Sequence, residues 1–370
     1  MRILFDATNI INQPTGAGVY TYNILRELSK IDSKNKISIL VRNDLPESHE
    51  LFSLPFEFTR EDISTLGIKR ELRLVPFLKK VEKDFDLFFS FMPYLSLTSC
   101  PVDSIITIHD LAFLRYPHLA KSVLHKLYFK LLMSSSIKQA KHIITVSQST
   151  KKDIVKYFNV PDNKFDIVYP DSNLKNKINE VKSSIVEEKY FLFVGEKREH
   201  KNIENMLKAF AEFKKDDSKN FKFVLAGRNY SNKYSQKLED LIKDLNLGDD
   251  VKMLGSVSKE RLHNLYENAF AFLFISFYEG FGIPILEAMR LGVPVITSNA
   301  YSMPEVGGGA VLYSSPEDIK SIKDNIIKLT IDDNLREELI EKGKIQAEKF
   351  SWKNSAEKIL QVLDKYGKKK

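Results

Sequence analysis

The chain has 370 residues, 43% hydrophobic and 28% charged, the composition of an ordinary globular protein long enough for two cores. Its formal net charge of +7 is compatible with nucleic acid, anionic lipid or simply a lysine-rich proteome, and composition alone does not separate these. A single cysteine, Cys100, excludes an intrachain disulfide framework and any cysteine-based zinc cluster, and it fits a reducing compartment.

The N-terminus runs directly into Arg2-Ile3-Leu4-Phe5, too short an apolar run for a signal peptide. Nowhere do the ~18 consecutive apolar residues of a membrane span occur, so a cytoplasmic location is expected. Short apolar runs then alternate with helical patterns. Ile3–Phe5, Ile37–Val41, Leu87–Phe89, Ile105–Ile108 and Ile143–Val146 read as strands of a parallel, doubly wound sheet. Gly16 and Gly18 follow the first strand and precede a helix, where glycine lets backbone approach a ligand closely. The dinucleotide pattern Gly-x-Gly-x-x-Gly is not completed, because its third position is Thr21, and a nicotinamide cofactor is disfavoured.

Basic residues gather at Lys69, Arg70, Arg73, Lys79, Lys80 and Lys83, and again at Lys121, His125, Lys126, Lys130 and Lys138. In the second run they alternate with Leu124, Leu127, Tyr128, Leu131 and Leu132 at helical spacing, which predicts one apolar and one basic face. Such a helix is either the solvated outside of a domain or a peripheral dock on an anionic inner membrane. No zinc-binding, helix-turn-helix or RNA-binding pattern accompanies the charge, so nucleic acid is not expected as a partner.

A second series of strands is expected at Phe191–Val194, Phe221–Leu225, Val251–Leu254, Ala271–Ile275, Val293–Thr297 and Ala310–Tyr313. Two series predict two Rossmann-like domains, at 1–172 and 189–350, joined by a polar, lysine-rich linker at 173–188. Ligands of open α/β sheets bind beyond the carboxyl ends of the strands, so two such domains are expected to share one cleft. Ser351-Trp352 looks like the start of a last helix spanning 351–370.

The most informative string is Tyr278-Glu279-Gly280-Phe281-Gly282-Ile283-Pro284-Ile285-Leu286-Glu287-Ala288-Met289. It sets two carboxylates around a glycine-rich turn that opens a helix, with Pro284 in the first turn, where its missing N–H costs nothing. The N–H groups near Gly282 and Ile283 and the positive end of the helix dipole suit a diphosphate. Glu279 and Glu287 can each accept paired hydrogen bonds from vicinal hydroxyls, one from a hexose and the other from a ribose.

This string resembles the signature of retaining glycosyltransferases of family four, enzymes of the GT-B fold. Further segments resemble the same family in the same order: Arg2 to Ala7, Pro14 to Tyr20, Thr107-Ile108-His109-Asp110-Leu111, Ile143 to Ser147, Phe193-Val194-Gly195 with Lys201-Asn202, Leu254-Gly255, and Ser298-Asn299 with Pro304-Glu305-Val306. Within the family the pattern is most similar to bacterial mannosyltransferases that build O-antigen and related surface polysaccharides.

The resemblance implies a C-terminal helix that crosses back to the first domain. It also implies transfer of a hexose, mannose favoured, from a nucleotide diphosphate sugar to a glycan or polyprenyl-linked saccharide, with retention and without metal. No cofactor is expected, since the nucleotide sugar is a substrate. His109 would contact a donor hydroxyl, Lys201 would stabilise the leaving diphosphate, Glu279 would orient the hexose and Glu287 would hold the ribose. Gly255 and Val257 would meet the base through backbone, which leaves the base unidentified, while Phe281, Gly282 and Ile283 would present backbone to sugar and phosphates.

The chain departs from the family at the phosphate clamp, where Glu196 and His200 replace residues that are often Arg. Arg198, Lys197 or a protonated His200 are the candidates for the missing cation. Glu196 and His200 also support a rival reading, a non-catalytic sugar-nucleotide-binding or scaffold relative of the same fold. A UDP- or dTDP-linked donor is a further alternative.

Overall fold

The structure is a computed structural model that describes residues 1–12, 15–65, 67–116, 123–174, 186–215 and 220–366. The chain divides into two compact units, Met1–Asp171 with Ser351–Lys370, and Ser172–Phe350.

The first unit is built on β1 (Arg2–Asp6), α1 (Gly16–Ile31), β2 (Lys36–Arg42), β3 (Glu57–Glu61), α2 (Ile68–Val81), β4 (Leu87–Ser90), β5 (Ser104–Ile108), α3 (Ala112–Arg115), α4 (Val123–Gln139), β6 (His142–Thr145), α5 (Gln148–Phe158) and β7 (Phe165–Ile167). Its seven strands lie in the order β3-β2-β1-β4-β5-β6-β7, each paired parallel to its neighbours. Strands β4, β5 and β6 are buried at every position, as a sheet covered on both faces requires. The two outer strands, β3 and β7, were not expected. Glu57-Phe58-Thr59-Arg60-Glu61 is half-exposed at the sheet edge and carries charge, so it lacks the apolar run that marks a central strand.

The second unit comprises β8 (Tyr190–Val194), α6 (Ile203–Lys214), β9 (Lys222–Ala226), α7 (Asn232–Asp244), β10 (Val251–Met253), α8 (Lys259–Glu267), β11 (Ala271–Phe274), α9 (Ile283–Arg290), β12 (Val295–Ser298), α10 (Met303–Gly307), β13 (Leu312–Ser314), α11 (Ile319–Ile331) and α12 (Asp333–Glu348). Its six strands lie in the order β10-β9-β8-β11-β12-β13, also parallel. Strand order reverses between β1 and β4 in one sheet and between β8 and β11 in the other. Such switch points leave a crevice at the carboxyl ends, where ligands of open α/β sheets bind.

Helix α13 (Trp352–Tyr366) returns to the first unit. Trp352 meets Tyr20 of α1 edge-on at 5.7 Å, Ser355 Oγ donates to Tyr169 O at 2.5 Å, and Tyr366 stacks on the buried His142 ring at 4.2 Å. Arg290, at the end of α9, joins the entry and exit of the second unit by donating to Ser172 O, Ala347 O and Phe350 O. Most of the expected linker, 175–185, lies outside the described residues, as do Pro14, Lys121 and the side chain of His125.

Helix α4 contradicts the two-faced reading. Phe129, Leu132, Met133 and Ile137 form its buried side, whereas Leu124, Leu127 and Leu131 are 79%, 52% and 55% exposed, beside the exposed Lys130. Leucines occupy both sides of the helix, so spacing alone did not identify the side that packs.

Candidate functional site

In the first unit the end of β1 is fixed by a buried ion pair. Arg70 of α2 donates to Asp6 Oδ2, to Thr8 Oγ1 at 2.9 Å and to Tyr94 O at 3.2 Å, and Ser90 Oγ at the end of β4 also donates to Asp6. Burial alone would raise the Asp6 carboxyl; the Arg70 guanidinium and the Thr8 hydrogen bonds overcome that and hold it below the usual range. The glycine turn follows. Thr15 caps α1 by accepting from Gly18 N at 3.1 Å. A Cβ on Gly18 would lie 3.1 Å from Asn9 O, so this glycine is needed for close packing of its own loop, while a Cβ on Gly16 would meet open space.

His109 follows β5. Its Nε2 is 3.1 Å from Phe91 O, its ring packs edge-on against Tyr20 at 5.2 Å, and its carbonyl accepts from Thr150 Oγ1. A carbonyl only accepts, so Nε2 carries the proton and Nδ1 remains an acceptor suited to a hydroxyl. Burial lowers the imidazole pKa and favours this neutral form.

In the second unit the loops after β8, β9, β10 and β11 converge. Gly227, at φ +126°, passes so close to the loop after β8 that a Cβ would lie 2.1 Å from Gly195 O, so glycine is required there. Lys197 is 1% exposed, and its ammonium donates to Gly227 O and to Leu254 O at 2.7 Å, tying three loops together. Burial pushes this lysine down to about 8. Lys197 is therefore a strut and does not supply the missing phosphate cation.

Lys201 Nζ lies 2.6 Å from Glu279 Oε1 and 5.3 Å from the Phe274 ring centre, and Ser302 Oγ anchors Glu279 by donating to its carbonyl at 3.0 Å. Asn202, at φ +59°, directs its amide to Ile275 O and Pro316 O, fixing the turn that aims Lys201. His200 is 9% exposed, and burial followed by the nearby Lys201 pushes it down to about 4. Burial thus favours the neutral ring of His200 and argues against it among the three candidates for the missing cation.

Arg198 remains a candidate cation. Its guanidinium sits 3.7 Å from the Tyr230 ring centre and pairs with Glu196, which Arg228 clasps from the adjoining loop after β9. Sequence reasoning missed Arg228. Its signal was a Gly-Arg step, Gly227-Arg228, after a neighbouring parallel strand, in register with the anomalous Gly195-Glu196.

Helix α9 starts at Ile283 behind Gly282, which at φ +117° has no side chain to cap it, with Pro284 in the first turn. Phe281 turns its ring inward against Phe350, 5.5 Å away, leaving backbone at the turn. Glu287, one turn on, accepts from the fully buried Tyr266 hydroxyl of α8 at 2.8 Å. Burial raises Glu287 to about 6 despite that hydrogen bond. Gly255 is exposed and Val257 half-buried in the loop between β10 and α8. Thus Lys201 and Glu279 touch, with Arg198 close by, while Glu287 is held separately through Tyr266. Among the described residues no group of three or more His, Cys, Asp or Glu could hold a metal ion, and no helix is long and apolar enough to cross a membrane.

Residues 175–346 match the family model for glycosyl transferases group 1, and residues 14–170 match that for glycosyltransferase family 4. The O-antigen chain mannosyltransferase RfbU of Salmonella typhimurium is 37% identical over 216 residues, covering 58% of each chain. The O-antigen chain mannosyltransferase B of Escherichia coli is 32% identical over 260 residues, covering 68% of this chain and 67% of that one. This chain thus spans 58% and 67% of the length of the two relatives. The structure of Anabaena HepE in complex with UDP and glucose superposes with a TM-score of 0.74 at 17% identity, covering 99% of this chain and 100% of that one, a likeness of fold. With one model on each unit and the Escherichia coli relative aligned along two thirds of both chains, this chain belongs to the family-four, group 1 glycosyltransferases of the GT-B fold.

Proposed function

We propose that this chain transfers a hexosyl group, mannose favoured, from a nucleoside diphosphate sugar to a hydroxyl of a glycan or lipid-linked saccharide, with retention and without a metal. The observation that carries the reading is the Lys201–Glu279 contact at the β8/β11 switch point, next to the uncapped start of α9. In the reaction the anomeric carbon–phosphate oxygen bond breaks and a bond to the acceptor oxygen forms on the same face. The acceptor proton goes to the departing phosphate oxygen, so no protein nucleophile is needed. Lys201 and the N-terminal dipole of α9 stabilise the leaving diphosphate, Glu279 orients the hexose, and Glu287 accepts from the ribose hydroxyls. His109 Nδ1 accepts from a donor hydroxyl.

Mannose is favoured because both relatives carry that sugar in their names, and a GDP-linked donor is proposed with it. A saccharide on a polyprenyl carrier places the work at the inner face of the cytoplasmic membrane. The test is nucleoside diphosphate release by the purified chain with GDP-, UDP- and dTDP-linked sugars and a lipid-linked acceptor, in chelator. Release with one donor, lost in Glu279→Ala, supports the reading. Midpoints of thermal unfolding that no sugar nucleotide moves would favour the non-catalytic scaffold, whose supporting feature is the neutralisation of Arg198 by Glu196.

A further inference from the structure

A cavity of about 1110 Å³ opens in the second unit between α6 and α7. One end lies beside the loops that carry Lys201 and Glu279. Glu199 and Asn202, on either side of Lys201, line it, as does Phe277, whose N–H donates to His200 O at 2.9 Å two residues before Glu279. From there the cavity follows α7 to Asp244 near the end of that helix.

Helical spacing builds its walls. Lys233, Lys237, Asp240 and Asp244 recur at i, i+4, i+7 and i+11, so they form one exposed stripe along α7, about 16 Å long at 1.5 Å per residue. Tyr234, Ser235, Leu238 and Ile242 of the same helix are buried. Glu204, Asn205 and Lys208 of α6 form the facing wall. The floor is a bridge between the helices, in which Tyr234 Oη donates to Glu204 Oε2 at 2.7 Å and Lys237 Nζ to Glu204 Oε1 at 3.0 Å. The groove is thus fixed at its base and open above.

Its chemistry selects a class of ligand. The carboxylates of Glu199, Glu204, Asp240 and Asp244 repel a polyanion, and the ammonium groups of Lys208, Lys233 and Lys237 repel a free cation. An apolar ligand would find only Leu241 and Phe277 among the described lining. Acceptors and donors alternate along the walls, and each hydroxyl of a sugar both gives and takes a hydrogen bond. The half-buried Phe277 ring offers an apolar face to the C–H groups of a pyranose at the end nearest Lys201. An elongated groove with nearly cancelling charge fits an uncharged chain of hexoses.

We propose that the α6/α7 groove is a glycan-holding subsite, which binds a run of neutral sugars of the acceptor or product outside the site of transfer. The proposal rests on the reading that this chain extends a glycan, but binding is measured without donor, so the two can fail separately. The experiment is titration calorimetry of the full chain with neutral linear hexaoses, namely α-mannohexaose, maltohexaose and cellohexaose. At least one binds, with an affinity that changes less than about twofold between low and ~0.5 M salt, because the ligand carries no charge. Lys233→Ala/Asp240→Ala weakens that binding by about tenfold, whereas Glu279→Ala, which loses transfer, binds the hexaose as wild type does. In transfer assays the same double variant raises KM about tenfold for a long acceptor and leaves kcat, and KM for a disaccharide acceptor, unchanged.

Three results overturn the proposal: no hexaose binds, the double variant binds as tightly as wild type, or a sulfated oligosaccharide binds more tightly than every neutral one with a steep salt dependence. Both substituted side chains are exposed, and circular dichroism of the double variant verifies that folding is kept.

Discussion

Lys201 Nζ sits 2.6 Å from Glu279 Oε1, so a cation from the loop after β8 and a carboxylate from the loop after β11 neutralise one another, with side chains only 14% and 13% exposed. Under the proposed function a donor diphosphate and its sugar share these two groups. Lys201→Met is expected to lower transfer by about 10²–10³-fold, the usual cost of losing a cation aimed at developing negative charge. It also leaves Glu279 without its partner, which costs about 1–3 kcal/mol of stability. The double variant Lys201→Met/Glu279→Leu is expected to regain stability in urea while remaining inactive. Transfer by the double variant would refute the assigned roles.

Glu287 gives a pH prediction whose sign is set by its burial. Its folded pKa of about 6 lies above the ordinary carboxyl value, so the folded state holds the proton more tightly than the unfolded chain does. The resulting stabilisation is full below the ordinary value and is lost as pH rises through about 6, a change of about 1–2 kcal/mol. Binding runs the other way, because the ionised carboxylate is the better acceptor for ribose hydroxyls. Donor affinity is expected to rise between pH 5 and 7 as stability falls. Glu287→Gln should raise the unfolding midpoint at pH 7 and weaken the donor, with both pH dependences flattened. Calorimetric titration with a nucleoside diphosphate measures the second effect.

The central strands were legible because they are buried on both faces and read as unbroken apolar runs, as Phe88-Phe89 and Ile105-Ile106 do. The edge strand Glu57–Glu61 was not, since a half-exposed strand carries no such run. At the site, Glu279 and Gly282 stood out through the local chemistry of a helix start, and Lys201 through the family resemblance. Contacts between loops were not legible. The strut from Lys197 to Leu254 O, the Tyr266–Glu287 hydrogen bond and the grip of Arg228 on Glu196 join positions between 21 and 57 residues apart. One sequence carries no sign of such pairings, and a lysine near a phosphate motif looks like a ligand until its ammonium is seen donating to carbonyls.

The Arg70–Asp6 pair predicts how the first unit fails in acid. Asp6 is held below its ordinary range, so its contribution is present above that range and is lost as pH falls through the folded value. Arg70→Met removes the compensating cation and leaves a buried carboxylate, which is expected to cost about 3–5 kcal/mol. Trp352 is the chain's single tryptophan, and it is buried against Tyr20 in the same unit, so its fluorescence reports that unit's unfolding. A tryptophan midpoint unchanged in urea would contradict the placement of Arg70.

Under the proposed function Glu196 governs the phosphate clamp, because it pairs with both Arg198 and Arg228. Each guanidinium has a further constraint: Arg198 lies over Tyr230, and Arg228 follows the invading turn at Gly227. Removing the Glu196 charge therefore leaves two positioned cations on the adjoining loops after β8 and β9. Glu196→Gln is expected to tighten nucleoside diphosphate binding by about tenfold, the equivalent of about 1.4 kcal/mol, with a steeper dependence on salt. Arg198→Ala is expected to weaken binding by a similar factor in the parent chain and by more in the Glu196→Gln background, since there Arg198 has no competing carboxylate. Titration calorimetry of the four proteins closes the cycle. A coupling of zero would mean that Glu196 and Arg198 act away from the phosphates, leaving Lys201 and the start of α9 to hold the diphosphate.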